Sequence, residues 1–295
     1  MDILLLGGNG YIGSSLYTKL KHKHTITSVD LCLFGKDLKI SQKFDFDSAD
    51  VSEYDAIVCL AGHSSVQLCE LEPLASWDNN VTKFHSLCNK ISKDQLLVYA
   101  SSASVYGTGK ELSDELTTLS NSPLKDYDLQ KTTIDLIANK FILDGKRIFG
   151  LRFGTVNGVA PNTRSELMIN SMVKSAMERG QISVRNLKIR RGILGVNDVV
   201  RAIEKILDVR SDNYGQYNLT SFNSTVEEIS NEVAKMTNAK LAYEEDTPAY
   251  DYAISAEKFK KEFDFEFKDT LQSLIDDLMK NHEVMNYDHR LNFHK

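Results

Sequence analysis

Short apolar stretches of strand length alternate along the chain with longer segments whose apolar residues recur at helical spacing. Near the start, Ile3–Leu6 and Thr25–Val29 have strand character, and Tyr11–Leu20 between them has helical character. The alternation continues over Ala56–Leu60, Trp77–Ile91, Leu96–Ala100, Tyr127–Leu143 and Arg147–Phe153. Because successive βαβ units build parallel sheets, the pattern predicts an α/β fold with a doubly wound parallel sheet and helices on both of its faces.

The alternation stops after Asn157, where we expect a second part of the molecule to begin. Residues 158–191 include a polar loop at 162–165 that could open toward a ligand. Further helices are predicted at Leu167–Glu178, Asp198–Leu207, Val226–Met236 and most of Ala256–Lys280. We therefore expect a sheet domain over residues 1–157, to which residues 192–220 return, and a smaller C-terminal substrate-binding lobe made of residues 158–191 and 221–295.

The composition is that of an ordinary folded protein and argues against several classes of partner. Of the 295 residues, 42% are hydrophobic and 26% are charged, as in average soluble domains. The net charge is −6 and no long Lys/Arg run occurs in the sequence, which disfavours a nucleic-acid partner. The apolar start is interrupted at Gly7, too early for a signal peptide or a membrane span, so we expect a cytoplasmic protein with no membrane partner.

The cysteines and histidines do not have the spacing of a metal site. No Cys-x-x-Cys pair occurs, and the four cysteines are expected to be reduced thiols. The histidines of the tail, His282, His289 and His294, fit no metal motif, so we expect no metal.

A glycine-rich turn, Gly7-Gly8-Asn9-Gly10-Tyr11-Ile12-Gly13, follows the first predicted strand and opens the first predicted helix. Glycines in this context let backbone N–H groups approach a pyrophosphate, and the helix N-terminus favours its charge. The position predicts a Rossmann-type dinucleotide site. The expected cofactor contacts are Gly7, Gly10, Tyr11, Ile12 and Gly13.

An acidic residue follows the second predicted strand. Asp30 lies 20 residues after Gly10, where a carboxylate can accept hydrogen bonds from the adenosine ribose. It would repel a 2′-phosphate, and Leu31-Cys32-Leu33 supplies no arginine to offset that repulsion. The cofactor predicted by these residues is NAD rather than NADP.

Tyr127 and Lys131 are four residues apart at the start of a predicted helix, so both side chains project from one face. A tyrosine is a poor base at neutral pH unless nearby positive charge stabilises its phenolate. Upstream, the strand Leu96–Ala100 leads into Ser101-Ser102-Ala103-Ser104, which places hydroxyls at the carboxyl edge of the sheet. Together these residues indicate proton transfer at a hydroxyl-bearing substrate.

Taken in order, these motifs resemble the extended short-chain dehydrogenase/reductase family, in particular its nucleotide-sugar epimerase and dehydratase branch, from Met1 to about Leu278. The resemblance implies an NAD-dependent enzyme with Ser102, Tyr127 and Lys131 as catalytic residues, the last two also touching the cofactor. It adds further cofactor contacts at Leu60, Ala61, Gly62 and Asn79. For the adenine it implies an acidic contact, either Asp45 or Asp47.

On the substrate side the resemblance is weaker. Arg191 matches the family's arginine that holds a diphosphate, although Arg190 beside it could compete. Dehydratases place Asp-Glu where this chain has Ala103-Ser104, which argues against dehydration. The substrate contacts implied by the matching positions are Ser102, Ser104, Thr155, Asn157 and Arg191.

Three hypotheses follow for the activity. The first is an epimerase of a sugar or nucleotide sugar that oxidises its substrate transiently to a ketone, with Tyr127 as base and acid. The second is an NAD-dependent sugar dehydrogenase or ketoreductase that releases its cofactor, and the third is a non-catalytic dinucleotide-binding regulatory protein. The family resemblance also implies a homodimer formed through the helices Trp77–Ile91 and Tyr127–Leu143.

Overall fold

Strands and helices alternate through the first two thirds of the protein in a computed structural model, which describes residues 1–108, 110–120, 125–209 and 211–285. The strands are β1 (Asp2–Leu6), β2 (Thr25–Val29), β3 (Ala56–Cys59), β4 (Leu96–Ser102), β5 (Lys110–Ser113), β6 (Arg147–Phe153), β7 (Thr155–Asn157), β8 (Gln181–Val184), β9 (Arg190–Gly195), β10 (Gly215–Leu219), β11 (Phe222–Thr225), β12 (Lys240–Tyr243) and β13 (Tyr252–Ile254). The α-helices are α1 (Tyr11–Leu20), α2 (Val66–Leu71), α3 (Pro73–Trp77), α4 (Lys83–Lys90), α5 (Asp126–Leu143), α6 (Met168–Arg179), α7 (Val196–Asp208), α8 (Val226–Thr237), α9 (Glu257–Phe263) and α10 (Leu271–Lys280).

The central sheet has six parallel strands in the order β10-β6-β4-β3-β1-β2. After β1 the chain adds β2 on one side, then crosses over to add β3 on the other. Such a reversal opens a crevice at the carboxyl ends of the strands, where open α/β sheets bind ligands. The prediction of a doubly wound parallel sheet is confirmed.

Successive residues of the strands pack against opposite layers of helices. In β1, Ile3 and Leu5 join a core with α1, α7 and α9, whereas Leu4 and Leu6 join a second core with α4 and α5. Side chains alternate across a strand, so only a uniformly apolar sequence can bury both faces. This is why the run Ile3–Leu6 contains no polar position.

A smaller lobe lies beside the sheet. Its apolar core is made by α6, α8 and α10 with β8 and β12. A three-stranded sheet in the order β11-β9-β7 joins the lobe to the central sheet, since β7 follows directly on the central strand β6 and Ile193 of β9 lies in the apolar core of the lobe. None of the helices in the described part of the chain combines the length and the apolar character of a membrane span.

One predicted helix start was wrong. The helix expected at Trp77–Ile91 begins at Pro73, contains a π-helical turn at Asp78–Thr82 and ends at Lys90. The helical stretch Ala256–Lys280 is two helices, α9 and α10, with an irregular segment between them. The short strands of the small sheets were not predicted, because each has only three to six residues and gains its partner from distant sequence. Of the tail histidines, His289 and His294 lie outside the described residues.

Candidate active site

A cleft of about 1090 Å³ opens at the carboxyl ends of the central strands. It contains most of the predicted site residues: Gly7, Gly10, Tyr11, Ile12, Gly13, Asp30, Leu60, Ala61, Gly62, Asn79, Ser102, Ser104, Tyr127, Lys131, Thr155 and Arg191. Residues that are more than 180 positions apart in sequence therefore share one cavity.

The glycine turn has the close backbone contacts that its sequence suggested. Gly7 has φ +88°, and a Cβ on it would lie 2.6 Å from the Ala61 nitrogen. A Cβ on Gly13 would lie 2.0 Å from the Gly7 carbonyl oxygen. Gly10 precedes α1 without a capping side-chain hydrogen bond, so the helix N-terminus is open to an anion. These features fit a dinucleotide pyrophosphate.

Asp30 lies at the end of β2 against the same turn. Its carboxylate accepts the Asn9 N–H at 3.0 Å and the Cys32 N–H at 2.7 Å. Burial raises the pKa of the Asp30 carboxyl, and the backbone hydrogen bonds act against this by stabilising the charged form. A carboxylate in this position suits the ribose hydroxyls of an adenosine.

The loop after β3 is held by two neighbouring asparagines of the π-helical turn. Asn80 is buried, accepts the His63 N–H at 2.7 Å and donates to the Gln130 side chain of α5 at 2.6 Å. Asn79 lines the cleft and bonds His63 Nδ1 at 3.0 Å. A π-turn shifts the helix face by one residue, which lets Asn79 face the cleft while Asn80 holds the loop.

Ser102, Tyr127 and Lys131 meet where β4 and α5 face each other. The Ser102 hydroxyl lies close enough to the Tyr127 phenol to lower its pKa, and both side chains line the cleft. Lys131 Nζ donates to the Ala100 carbonyl at 2.9 Å and lies 5.6 Å from the centre of the Tyr127 ring. The spacing of four residues on one helix thus places a phenol and an amine over the last residues of β4.

Burial dominates the acid–base properties of this group. It raises the pKa of the Tyr127 phenol, whereas the neighbouring Ser102 hydroxyl and the positive charge of Arg164 lower it. Burial lowers the pKa of the Lys131 amine. Further positive charge in the cleft would stabilise the phenolate form of this desolvated tyrosine and so lower the pKa of the phenol.

Two further serines of the β4 edge have unused hydroxyls. Ser101 and Ser104 are buried and line the cleft, and neither side-chain oxygen has a hydrogen-bond partner among the described residues. Buried hydroxyls normally find a partner. These two atoms are therefore suited to hydrogen-bond a polar ligand.

The far end of the cleft carries the substrate-side candidates. Arg191 packs its guanidinium 5.5 Å from the centre of the Tyr252 ring, and the Tyr252 hydroxyl lies 3.2 Å from Thr155 Oγ1. Arg190 is directed elsewhere, since it forms an ion pair with Asp251 at 3.0 Å. Of the two neighbouring arginines, the structure places Arg191 at the cleft.

Three predicted contacts lie elsewhere. Asp45 and Asp47 do not occur among the described residues that line the cleft; Asp45 pairs with Lys83, and Asp47 pairs with Lys90 at 3.0 Å. Asn157 is fully buried; it accepts the Ile169 N–H at 2.9 Å and donates to the Thr155 carbonyl. The Asn157 amide is therefore bonded to the backbone at the start of α6. Its contact with substrate stays a prediction, and so does the adenine contact of Asp45 or Asp47.

Arg164 and Tyr250 are cleft residues that the sequence reasoning missed. Arg164 pairs with Glu166 at 2.6 Å and donates to Ser64 Oγ at 3.0 Å. Tyr250 donates to the buried carboxylate of Asp128, the residue after Tyr127, at 2.6 Å. The polarity of the loop at 162–165 was a signal for Arg164, but the sequence around Tyr250 gave none.

The chain matches the family model described as the NAD-dependent epimerase/dehydratase family over residues 3–220. Among named relatives, it is 28% identical over 233 residues to Protein CapI of Staphylococcus aureus, with 70% of this chain and 69% of that protein covered. It is 29% identical over 205 residues to UDP-glucose 4-epimerase of Lactobacillus helveticus, covering 60% of each.

Solved structures extend the likeness over nearly the whole chain. The UDP-glucose 4-epimerase of Thermotoga maritima, solved with UDP-glucose, superposes with a TM-score of 0.86 at 19% identity, covering 96% of this chain and 99% of that one. The UDP-glucuronic acid 4-epimerase of Bacillus cereus, solved with UDP-glucuronic acid and NAD, gives 0.85 at 18% identity with the same coverage. At these identities the likeness shows the fold.

Proposed function

The chain belongs to the NAD-dependent epimerase/dehydratase family, and we propose that it epimerises a nucleotide-linked sugar through transient oxidation, with Tyr127 as base and acid. It is an enzyme of the extended short-chain dehydrogenase/reductase type, and its cofactor is NAD. The proposal is carried by one observation: Ser102, Tyr127 and Lys131 lie in the same cleft as the glycine turn and Asp30.

When bound, NAD supplies an acceptor that takes a hydride from the sugar carbon and returns it. Tyr127 takes the proton of the hydroxyl on that carbon and gives it back after the sugar has presented its other face. Ser102 donates a hydrogen bond to the oxygen as it becomes a carbonyl. Lys131 adds positive charge beside the phenol, which favours the phenolate over the phenol.

The substrate end of the cleft supports a nucleotide diphosphate as the carrier of the sugar. Arg191 offers a planar guanidinium, which matches phosphate oxygens in pairs. Relatives and fold neighbours whose names specify a substrate include UDP-sugar epimerases. A UDP-sugar is therefore the first substrate class to test.

The residues after Ser102 favour epimerisation over dehydration. Elimination of water needs a second acid and base near the sugar, and the chain has Ala103 and Ser104 there. Neither side chain titrates near neutral pH.

Replacing Tyr127 tests the proposal directly. Tyr127→Phe keeps the ring but removes the proton carrier, so we expect turnover of a UDP-sugar to fall by roughly 10² to 10⁴. The affinity for NAD, measured by isothermal titration, should change little, because the glycine turn and Asp30 remain. Tyr243→Phe, at a tyrosine that is 67% exposed on β12, is the matched control and should keep full turnover. Wild-type turnover in Tyr127→Phe would overturn the mechanism.

A further inference from the structure

A loop after β2 forms a wall of the cleft beside Asp30. Residues 31–39 of this loop, called the strap below, contain no helix or strand. Leu31, Leu33, Phe34 and Gly35 of the strap line the cleft together with Asp30. The strap therefore borders the path by which a dinucleotide would reach or leave the glycine turn.

The strap holds a backbone shape that its own sequence does not favour. Cys32 and Lys39 have φ values of 55° and 58°. Residues with a Cβ occupy this left-handed region only at a cost, and they stay there when surrounding contacts require it. Asp37 within the strap accepts the Lys39 N–H at 3.0 Å, and further contacts come from groups outside the strap.

Two buried asparagines supply those contacts. Asn162 Oδ1 accepts the Lys36 N–H at 2.9 Å, and its Nδ2 donates to the Lys36 carbonyl at 2.8 Å. Asn9 Nδ2 donates to the same carbonyl at 3.1 Å, and its Oδ1 accepts the Leu38 N–H at 3.0 Å. Both side chains are almost completely buried, so losing either leaves backbone groups without these partners.

Asn162 connects the strap to parts of the molecule that meet the cofactor and the substrate. Its Nδ2 also donates to the carbonyl of Asn9 in the glycine turn at 2.7 Å. On the same loop, the Gly158 carbonyl accepts the Tyr11 hydroxyl at 2.7 Å, and Arg164 lines the cleft. One side chain therefore fastens the strap, the turn and the loop after β7 together.

We propose that Asn162 is a positioning residue that clamps the strap beside the bound dinucleotide and thereby slows the release of NAD. The inference rests on the proposed function, since an epimerase regenerates its cofactor in each turnover and gains from holding it. A dehydrogenase, in contrast, must exchange its cofactor after each net redox step.

The test is the rate at which the full-length protein releases dinucleotide in the absence of any sugar. Protein loaded with NADH is mixed with excess NAD, and the loss of bound NADH fluorescence is followed by stopped flow. Asn162→Ala should release NADH about tenfold faster or more, because the strap loses the two bonds of Lys36 to this side chain. Hydrogen–deuterium exchange of a peptide covering residues 31–39 should also become faster.

Asn223→Ala is the matched control. Asn223 holds Ile254 by the same pair of bonds, donating to its carbonyl at 2.9 Å and accepting its N–H at 3.0 Å, but it does not contact the strap. Its NADH release should equal that of the wild type. Should Asn162→Ala fold poorly, Asn162→Asp keeps the size and the acceptor for Lys36 N–H while losing both Nδ2 donations, and it should also release NADH faster.

The inference would be overturned if the Asn162 variants released NADH at the wild-type rate and hydrogen–deuterium exchange of the strap were unchanged. It would also be overturned if Asn223→Ala accelerated NADH release by the same factor. Because no sugar is present, either result leaves the epimerase proposal to be judged by Tyr127→Phe. Conversely, a protein that converts no nucleotide sugar can still show a strap clamped by Asn162.

Discussion

Tyr127 is influenced by charged groups from two directions. The Arg164 guanidinium, from the loop after β7, lowers the pKa of the phenol, and the neighbouring Asp128 carboxylate raises it. Asp128 is in turn hydrogen-bonded by Tyr250 at 2.6 Å. The protonation of Tyr127 is therefore set partly by residues that approach it from the substrate side of the cleft.

Arg164→Gln should shift the pH profile of turnover to higher pH. Tyr127 must be deprotonated to act as a base, so activity is lost as pH falls through its pKa. Removing the positive charge of Arg164 raises that pKa, and kcat/KM at pH 7 should drop roughly two- to tenfold, with recovery at alkaline pH. The measurement is kcat/KM against pH.

Arg179→Gln is the control for this prediction, since Arg179 lies at the exposed end of α6. Its profile should match that of the wild type. A lower kcat/KM in Arg164→Gln with the same shape at every pH would mean that Arg164 only binds substrate.

Helix α5 carries Tyr127 and Lys131, and a buried ion pair holds this helix against the central sheet. Tyr127, Lys131 and Asp135 follow one another at intervals of four residues along one face. Asp135 is completely buried and pairs with Arg152 of β6 at 2.7 Å; it also accepts the Tyr99 hydroxyl of β4 at 2.7 Å. The pair therefore fixes α5 against the two strands that border the cleft.

Asp135→Ala should lower the free energy of unfolding by about 3–5 kcal/mol, because it leaves the Arg152 charge buried without its partner. Urea denaturation measures this directly. Asp144→Ala, at the residue that follows this helix, removes an exposed pair with Lys140 and should have little effect. Equal losses in the two variants would contradict an anchoring role for Asp135.

Local sequence was sufficient to predict those site features that lie within a few consecutive residues. The glycine turn and the Tyr127–Lys131 pair could be found because backbone geometry and helical spacing fix them within a few residues. The π-turn at Asp78–Thr82 could not, since one extra residue in a helical turn leaves no mark in apolar periodicity.

At the scale of the whole molecule, the cleft depends on contacts between distant segments. Tyr250 reaches Asp128 across 122 residues, and Asn162 reaches Asn9 across 153. No spacing rule relates such pairs, so only the folded chain identifies them. The division into domains at 157 and the cytoplasmic location stay predictions.

The homodimer also stays a prediction. Leu87 of α4 is buried in the core, and Ile137 and Phe141 of α5 pack partly against that core. Leu129 and Leu136 of α5 are 41% and 58% exposed, and they leave apolar surface on the helix expected to pair.

The proposed mechanism requires that a hydride leaves a sugar carbon beside Tyr127 and returns to the same carbon. The most direct test is to incubate the purified protein with UDP-sugars in D₂O, without added NAD, and to analyse the products by NMR. We expect an inverted sugar that carries no solvent deuterium at the inverted carbon, with no net change in the NAD to NADH ratio. Deuterium at that carbon would contradict hydride return, and one equivalent of NADH formed for each ketone released would identify a dehydrogenase instead.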